Sequence, residues 1–329
     1  MNQLNNKLKF LVIRFSSIGD IVLTSPLVRC LKQQVEGAEI YFLTKKEYFP
    51  VLKSNPYIFK VYEYPGTPGK FISHVADTQF DYIIDLQNNR LSKIIKLRLK
   101  LPAFTVNKLN ILKFIYTRLK INLLPQLHIV DRYMDTVSLF DVENDLKGLD
   151  FFICGDRECK LPPACNDGYI AFVIGGTYFT KKLPAEKVAA ICRSIDFPVV
   201  LIGGNREREA GEIIMAGSKG NVFNYVGKGT INESAILVRD ARLVLTNDTG
   251  FMHIAAAFKK KILSFWGNTV PQFGMYPYMA DPVSTMVEVN NLKCRPCSKL
   301  GYQKCPRRHF RCMNDIDLSV AVDWIYKNF

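Results

Sequence analysis

Apolar runs rich in β-branched residues alternate with helical patterns along most of the chain. In the first half, five such runs predict strands at residues 10–15, 40–44, 58–62, 82–85 and 104–106. Helices are predicted between and after them, at about 21–36, 47–53, 71–78, 91–99, 109–119 and 129–140. Alternation of this kind indicates βαβ units and a parallel sheet.

The pattern breaks at residues 141–168, a charged stretch with two prolines that is typical of a domain connection. It then resumes, with strands predicted at 169–174, 199–202, 222–226, 243–246 and 262–265. The accompanying helices are predicted at about 185–195, 207–216, 232–240, 250–258 and 318–327. We therefore expect an α/β protein of two doubly wound parallel sheets that face each other. Ligands should bind at the carboxyl ends of the strands, in the central cleft.

The length of 329 residues corresponds to about two domains, and the 48% of apolar residues excludes a disordered chain. We expect Rossmann-like domains at residues 1–160 and 161–312, followed by a terminal helix at 313–329. Packing of this helix back on the first domain is one arrangement left open. No apolar run approaches the roughly 18 residues that span a bilayer. The polar start at residues 1–9 lacks the apolar stretch of a secretory signal, so we expect a cytoplasmic protein.

The net charge of +14 is concentrated in two acid-free segments. Residues 86–130 contain nine lysines and arginines, residues 289–314 contain seven, and the rest of the chain is close to neutral. Two basic regions on such a body indicate an anionic partner, either nucleic acid, a membrane surface or a phosphorylated substrate. The alternative is an ordinary solvated surface.

The loop that follows the first predicted strand carries a carboxylate. In residues 16–20 (SSIGD), Gly19 permits a tight turn and Asp20 stands at the start of a helix. One interpretation is a plain helix cap. The other is a carboxylate at the cleft that takes a proton from a substrate.

Three loops of the second half have the composition of anion-binding loops. Residues 175–184 (GGTYFTKKLP) combine glycines, hydroxyls and lysines without a Walker A motif. Residues 246–253 (TNDTGFMH) open a helix whose free N–H groups favour anions, and His253 is either structural or functional there. Glu207, after two glycines, is placed to accept hydrogen bonds from a ribose or to serve as a first-turn helix acid.

Together, four segments resemble the heptosyltransferase family of glycosyltransferases, the ADP-heptose:lipopolysaccharide heptosyltransferases. They are residues 10–26 (FLVIRFSSIGDIVLTSP), 81–90 (DYIIDLQNNR), 175–184 and 248–257 (DTGFMHIAAA), in the family's order. The resemblance runs from about residue 8 to residue 320. It implies the GT-B fold, with acceptor binding in the first domain and nucleotide-sugar binding in the second. It also implies an inverting, metal-independent transfer of a heptose from an ADP-sugar to the lipopolysaccharide inner core.

The resemblance also implies roles for individual residues. Asp20 matches the family's proposed general base, and Ser17, Arg90 and Lys93 are the candidate acceptor contacts. The implied nucleotide-sugar site consists of Gly176, Thr177, Lys181, Glu207, Asp248, Thr249, Gly250 and His253. Within it, Thr177 and Lys181 match diphosphate ligands and Glu207 matches a ribose ligand. The chain departs from the family where Leu183 replaces a tryptophan, and the adjacent Lys182 leaves open which lysine reaches the diphosphate.

The implied partners are an ADP-sugar donor, an anionic lipopolysaccharide core acceptor and the cytoplasmic face of the inner membrane, bound peripherally. No nucleic acid is expected. No cofactor is implied for catalysis, and the sole Asp-x-Asp, at 315–317, is placed to cap the terminal helix. Four clustered cysteines are compatible with a structural zinc site, the alternative being free thiols: Cys294, Cys297, Cys305 and Cys312.

Two other functions stay open at this point. One is a different GT-B nucleotide-sugar enzyme, such as a hexosyltransferase or an epimerase, because the sequence does not disclose the sugar pocket. The other is a non-enzymatic, basic nucleic-acid-binding protein, which the absence of a recognised nucleic-acid module disfavours.

Overall fold

The computed structural model describes residues 7–155 and 159–329. Residues 1–6 of the polar start and residues 156–158 of the predicted domain connection lie outside this description. The described chain contains the strands β1 (Lys9–Ile13), β2 (Glu39–Thr44), β3 (Lys60–Glu63), β4 (Tyr82–Asp85), β5 (Ala103–Thr105), β6 (Ile170–Val173), β7 (Val199–Ile202), β8 (Val222–Asn224), β9 (Leu243–Asn247), β10 (Lys261–Trp266) and β11 (Thr285–Glu288).

Helices lie between most of these strands. They are α1 (Ile18–Val22), α2 (Ser25–Gln34), α3 (Phe49–Leu52), α4 (Pro68–His74), α5 (Arg90–Leu99), α6 (Asn110–Leu119), α7 (Ile129–Met134), α8 (Ala185–Arg193), α9 (Arg208–Ala216), α10 (Ile231–Asp240), α11 (Gly250–Ala257), α12 (Arg311–Asn314) and α13 (Ser319–Asn328). Short 3₁₀ turns extend several of them, for example at Asp135–Phe140 after α7.

The chain divides into two compact units. Unit 1 comprises the described residues up to Lys108 together with Leu127–Cys154, and unit 2 comprises Leu109–Gln126 together with the described residues from Gly155 onward. The division after Cys154 is close to the expected one at residue 160. The sequence, however, placed residues 109–126 in the first domain, whereas α6 belongs to unit 2. Tyr116 on α6 packs edge-on against Phe273, with ring centroids 6.0 Å apart.

Each unit is built on one parallel sheet. The strand order is β3-β2-β1-β4-β5 in unit 1 and β11-β10-β9-β6-β7-β8 in unit 2, and every pairing is parallel. The central strands are mostly apolar and buried, because helices cover both faces of such sheets. This confirms the predicted class, two α/β domains with parallel sheets. β11 was missed, because its TMVE sequence is only half-buried and contains just two apolar residues between polar ends.

Two local differences have simple chemical causes. The predicted helix at 21–36 is interrupted after α1, because Pro26 lacks an N–H and therefore occupies the first turn of a new helix, α2. The terminal helix α13 packs in unit 2, where Ala321 and Ile325 are fully buried in the core and the Trp324 indole donates to the Val283 carbonyl at 2.9 Å. It therefore differs from the arrangement in which it packs back on the first domain.

A buried arginine fixes the last segment of unit 1. Arg29 on α2 is 3% exposed and donates twice to the Asp145 carboxylate, at 2.7 Å from both Nε and Nη2, and also to Asp150. The hydrogen bonds from Arg29 outweigh the opposing effect of burial and lower the pKa of Asp145 to about 2. The segment after α7 is thereby attached to α2.

This ion pair predicts a defined pH dependence of stability. We expect Asp145→Asn to lower the unfolding free energy by about 2 kcal/mol at pH 7. Because the folded-state pKa lies below the unfolded value of about 4, this contribution is present above pH 4 and is lost as the pH falls towards 2. Urea unfolding of both proteins across this range should show curves that converge in acid. A difference that stays constant from pH 7 to pH 2 would contradict the assignment.

No helix within the described residues is long and apolar enough to cross a membrane.

Candidate active site

In unit 1, Asp20 lies in the short helix α1 that follows β1. Its Oδ2 atom accepts hydrogen bonds from the Ser17 backbone N–H at 3.1 Å and the Ser17 hydroxyl at 2.9 Å. Its Oδ1 atom lies 2.6 Å from Nη2 of Arg14. The carboxylate therefore belongs to a capping box, with Ser17 as the N-cap and Asp20 as the third helical residue, and its side chain is 21% exposed. Its role as a proton acceptor stays a prediction.

The surroundings of Asp20 keep it ionised. Burial alone would raise the pKa of the carboxyl, but the Arg14 guanidinium and the hydrogen bonds from Ser17 outweigh burial and lower it. At neutral pH the group is therefore an anion that is able to accept a proton. The lowered pKa also makes it a weaker base than an unperturbed carboxylate.

Arg14 is a site residue that the sequence interpretation missed. It is nearly fully buried, and it also donates from Nη1 to the Leu86 carbonyl at 2.6 Å and from Nε to the Ser16 carbonyl at 2.8 Å. Since Leu86 follows β4, the arginine links the ends of two adjacent strands and fixes the carboxylate between them. The available signal was a single charge inside the apolar run FLVIRF.

The segment after β4 is also organised by a buried carboxylate. Asp85 accepts from the Gln87 and Asn88 backbone N–H groups, at 3.1 and 2.7 Å, and pairs with Lys96 at 2.8 Å. The candidate acceptor residues Ser17, Arg90 and Lys93 are all exposed near these strand ends, Arg90 as the first residue of α5. Their contact with an acceptor stays a prediction.

In unit 2, the three predicted anion-binding loops lie at one edge of the sheet. They follow β6, β7 and β9, which are adjacent parallel strands, so their carboxyl ends meet. The side chain of Asn247, at the end of β9, joins two of the loops by accepting from the Leu183 N–H at 2.9 Å and donating to the Ile174 carbonyl at 3.3 Å. This is the edge at which doubly wound sheets bind ligands.

Two lysine–carboxylate pairs occupy this edge. Nζ of Lys181 lies 2.6 Å from Oδ2 of Asp248, and Nζ of Lys182 lies 3.3 Å from Oε1 of Glu207. Both carboxylates are largely buried and have second partners. Asp248 accepts from the Thr269 hydroxyl at 2.7 Å, and Glu207 accepts from the Gly204 N–H at 3.1 Å. The two adjacent lysines thus point in different directions within the cluster of three loops, Lys181 to the end of β9 and Lys182 to the end of β7.

The remaining predicted residues surround the pairs. Thr249 is the N-cap of α11, Gly250 begins that helix, and His253 is buried one turn further on. A Cβ at Gly176 would fit tightly, 3.0 Å from Cγ of Lys182 and 3.4 Å from Cγ2 of Thr249, so the Lys182 side chain would have to shift by a few tenths of an ångström. The structure therefore brings the predicted nucleotide-sugar residues of unit 2 to one edge. Their contact with a nucleotide sugar stays a prediction.

The cysteine-rich segment holds the loop that carries Lys181. The Thr180 N–H donates to the Tyr302 carbonyl at 3.1 Å, and the Tyr302 N–H donates to the Thr180 hydroxyl at 2.8 Å. Gly301, at φ +139°, permits this approach, because a Cβ there would lie 2.5 Å from Cβ of Tyr178. The sequence contains no signal for this contact beyond the glycine itself.

The four clustered cysteines do not form the predicted zinc site. Across the described residues, no group of three or more His, Cys, Asp or Glu side chains is arranged to hold a metal ion. The Cys297 thiol donates to the Cys294 carbonyl at 3.1 Å, and burial raises the pKa of Cys297 to about 11 and that of the core thiol Cys312 to about 12. Cys305 is half-buried, and all four are free thiols.

Comparison with known proteins identifies the family. The sequence model described as "Glycosyltransferase family 9 (heptosyltransferase)" matches residues 69–304. The chain belongs to this family. The matched range contains all the predicted nucleotide-sugar residues of unit 2, whereas Asp20 precedes it.

Individual members of family 9 agree with this assignment. A lipopolysaccharide heptosyltransferase 1 from Campylobacter coli is 25% identical over 291 residues, covering 80% of this chain and 84% of that protein. The structure of E. coli ADP-heptose lps heptosyltransferase II has a TM-score of 0.71 at 18% identity, covering 97% and 98% of the two chains. E. coli heptosyltransferase WaaC with ADP has a TM-score of 0.68 at 17% identity, covering 98% and 100%. The predicted family, enzyme class and fold are confirmed.

Proposed function

We propose that this family 9 glycosyltransferase moves a heptose from an ADP-sugar to an anionic acceptor of the lipopolysaccharide inner core. The observation that carries the proposal is the loop cluster of unit 2, in which two lysine–carboxylate pairs and the start of α11 meet at one sheet edge. A diphosphate needs such a combination of cations and free N–H groups. The ADP in the related WaaC structure supports adenine as the base.

The chemistry divides between the two units. In unit 1, Asp20 accepts the proton of the acceptor hydroxyl as that oxygen attacks the anomeric carbon, and Arg14 keeps the carboxylate ionised and oriented. In unit 2, Lys181 and the N–H groups of α11 stabilise the negative charge that develops on the departing diphosphate. A single displacement of this kind inverts the anomeric centre. Every step uses this chain's own residues.

Donor identity can be tested by thermal unfolding with a panel of nucleotides. ADP and ADP-heptose, at about 100 times their Kd, should stabilise the protein by about 2.7 kcal/mol and raise its Tm by a few degrees. GDP and UDP at the same concentration serve as controls and should give smaller shifts. A larger shift with GDP or UDP than with ADP would contradict the proposed donor.

We also propose that the protein works at the cytoplasmic surface of the inner membrane as a peripheral protein. Helix α6 and the segment after it expose apolar side chains, among them Ile111, Phe114, Leu119, Ile121 and Leu123. Basic residues are interleaved with them and no acid is present from residue 86 to residue 130. Apolar side chains among cations are typical of segments that bind an anionic lipid interface.

Sedimentation with phosphatidylglycerol vesicles tests this association. We expect Ile111→Ser combined with Phe114→Ser to weaken vesicle binding by about 30-fold or more, because each apolar side chain contributes of the order of 1 kcal/mol or more at an interface. Leu139→Ser is a matched control, since Leu139 in unit 1 is as exposed as Ile111, both at 77%. Equal losses in the control, or wild-type sedimentation of the double variant, would contradict the proposal.

A further inference from the structure

A pocket of about 810 Å³ in unit 2 lies apart from the loops discussed above. It is formed where the two acid-free segments of the sequence meet. Arg118 and Lys120, at the end of α6, come from the first segment, and Lys293, Arg307 and Arg311 come from the second. Cations that are far apart in sequence thus line one cavity. This convergence depends on α6 belonging to unit 2.

The pocket is held together by fixed contacts of Lys120. Its ammonium group donates to the carbonyls of Cys294 and Pro296, at 3.1 and 2.7 Å, and to the Thr117 carbonyl at 2.7 Å. These bonds attach the end of α6 to the cysteine-rich segment. The two chain segments that carry the cations are therefore joined, although the other cationic side chains are themselves exposed.

The charges in the pocket are crowded and poorly compensated. Burial lowers the pKa of Lys120, the Cys297 and Cys294 thiols partly oppose this, and the nearby cations Arg307 and Arg118 lower it further. Among the described residues, Arg311 has a carboxylate partner in Asp315 at 2.6 Å, but no acidic side chain lines the cavity. An anion with several charges would relieve this repulsion.

The other lining groups and the size indicate a ligand larger than a simple ion. The side chains of Asn290, Asn291 and Tyr302 supply amide and hydroxyl groups, which are suited to sugar hydroxyls, and an aromatic face. The volume lies in the range of small-molecule pockets, about 300–1,000 Å³. A single phosphate would leave most of it empty.

We propose that this pocket binds a saccharide that carries two or more phosphate or carboxylate groups. The cations would contact the anionic groups, and the asparagines and Tyr302 would contact hydroxyls. None of the lining residues belongs to the proposed nucleotide-sugar site, so the inference goes beyond the donor chemistry. Tyr302 nevertheless connects the two, because its backbone bonds to Thr180 in the loop that carries Lys181.

The same chemistry is offered by a free phosphosaccharide and by the phosphorylated sugar of a glycolipid. The experiment therefore uses glucose 1,6-bisphosphate as the free probe and detergent-dispersed lipid A as the glycolipid probe. Binding of each is measured by calorimetry on the full chain, with saturating ADP present. Tighter binding of lipid A assigns the pocket to a glycolipid, and tighter binding of glucose 1,6-bisphosphate assigns it to a free sugar.

The test variant is Arg118→Ala combined with Arg307→Ala, two exposed side chains whose truncation leaves the core intact. Loss of two charge-assisted contacts should weaken binding of the preferred probe by about 10²–10⁴-fold. The control is Lys53→Ala combined with Lys70→Ala, which removes the same charge from exposed positions in unit 1 and should leave binding unchanged. ADP binding, measured separately, should be equal in all three proteins, so a failure of the donor proposal is visible on its own.

Three results would overturn the inference. One is that neither probe binds the wild-type protein at millimolar concentration. Another is that the control variant loses as much affinity as the test variant, which would mean only unspecific charge attraction. The third is that random double-stranded DNA binds through Arg118 and Arg307 while both sugar probes fail, which would assign the pocket to nucleic acid.

Discussion

Replacing Asp20 by Asn should lower kcat by about 10²–10⁴-fold while the Kd for ADP stays within about twofold of wild type. The amide keeps the shape of the carboxylate and can still accept the hydrogen bonds from Ser17. It cannot accept a proton from the acceptor hydroxyl. Steady-state kinetics together with ADP titration separate these two effects. Asp77→Asn replaces an exposed acid in the same unit and is the matched control. It should leave both kcat and the Kd for ADP unchanged.

The pH profile distinguishes a base from a structural carboxylate. Asp20 must be ionised to act, and its pKa is lowered from the ordinary value, so activity should persist as the pH falls from 7 to 5. In Arg14→Met the opposing charge is lost and burial then dominates, which should raise the pKa of Asp20 and move the acid limb of the profile to higher pH. An unchanged acid limb in Arg14→Met, or full activity of Asp20→Asn, would contradict the assigned role.

Replacing Lys181 by Ala should raise the Kd for ADP by about 10–100-fold, the effect of losing a charge-assisted contact to the diphosphate. Lys181 pairs with Asp248, which directly precedes the N-cap of α11, so its ammonium group lies beside the free N–H groups of that helix. Lys182 pairs with Glu207 at the neighbouring strand end. We therefore expect Lys182→Ala to weaken ADP binding less than Lys181→Ala. Isothermal titration of both variants measures the difference.

The same substitution leaves the largely buried Asp248 without its cation, which costs about 3 kcal/mol of stability. A second variant separates this effect from binding. Lys181→Ala combined with Asp248→Asn removes the uncompensated charge, so its Tm should return towards wild type while ADP affinity stays low. Recovery of both properties together would mean that Lys181 acts only on the fold.

Much of the fold could be predicted because its strands are apolar and central. β7, with the sequence VVLI, is buried on both faces and was predicted to the residue. The unit to which α6 belongs could not be predicted, since periodicity indicates a helix without indicating the core against which it packs. The contact of Tyr116 with Phe273 decides this, and it joins residues that are distant in sequence.

Site residues could be predicted where a short sequence motif identifies them. Contacts between side chains that are distant in sequence could not be predicted. Asp20 could be found because a carboxylate follows a strand and a glycine turn. The order of β7, β6 and β9 in the sheet brings Lys181 to Asp248 and Lys182 to Glu207. The sequence alone does not give that order. The cysteine spacing suggested a metal, but spacing says nothing about the hydrogen bond of the Cys297 thiol to the Cys294 carbonyl or the burial of Cys312.

The most direct measurement is analysis of the acceptor, by mass spectrometry and by NMR of the new anomeric centre, after incubation with ADP-heptose and an inner-core lipopolysaccharide acceptor. We expect the acceptor to gain one heptose, ADP to be released in equal amount, and the new anomeric centre to be inverted relative to the donor. Asp20→Asn should form the product at least about 100-fold more slowly. Release of ADP without a heavier acceptor, or a product with retained configuration, would contradict the proposed heptosyl transfer.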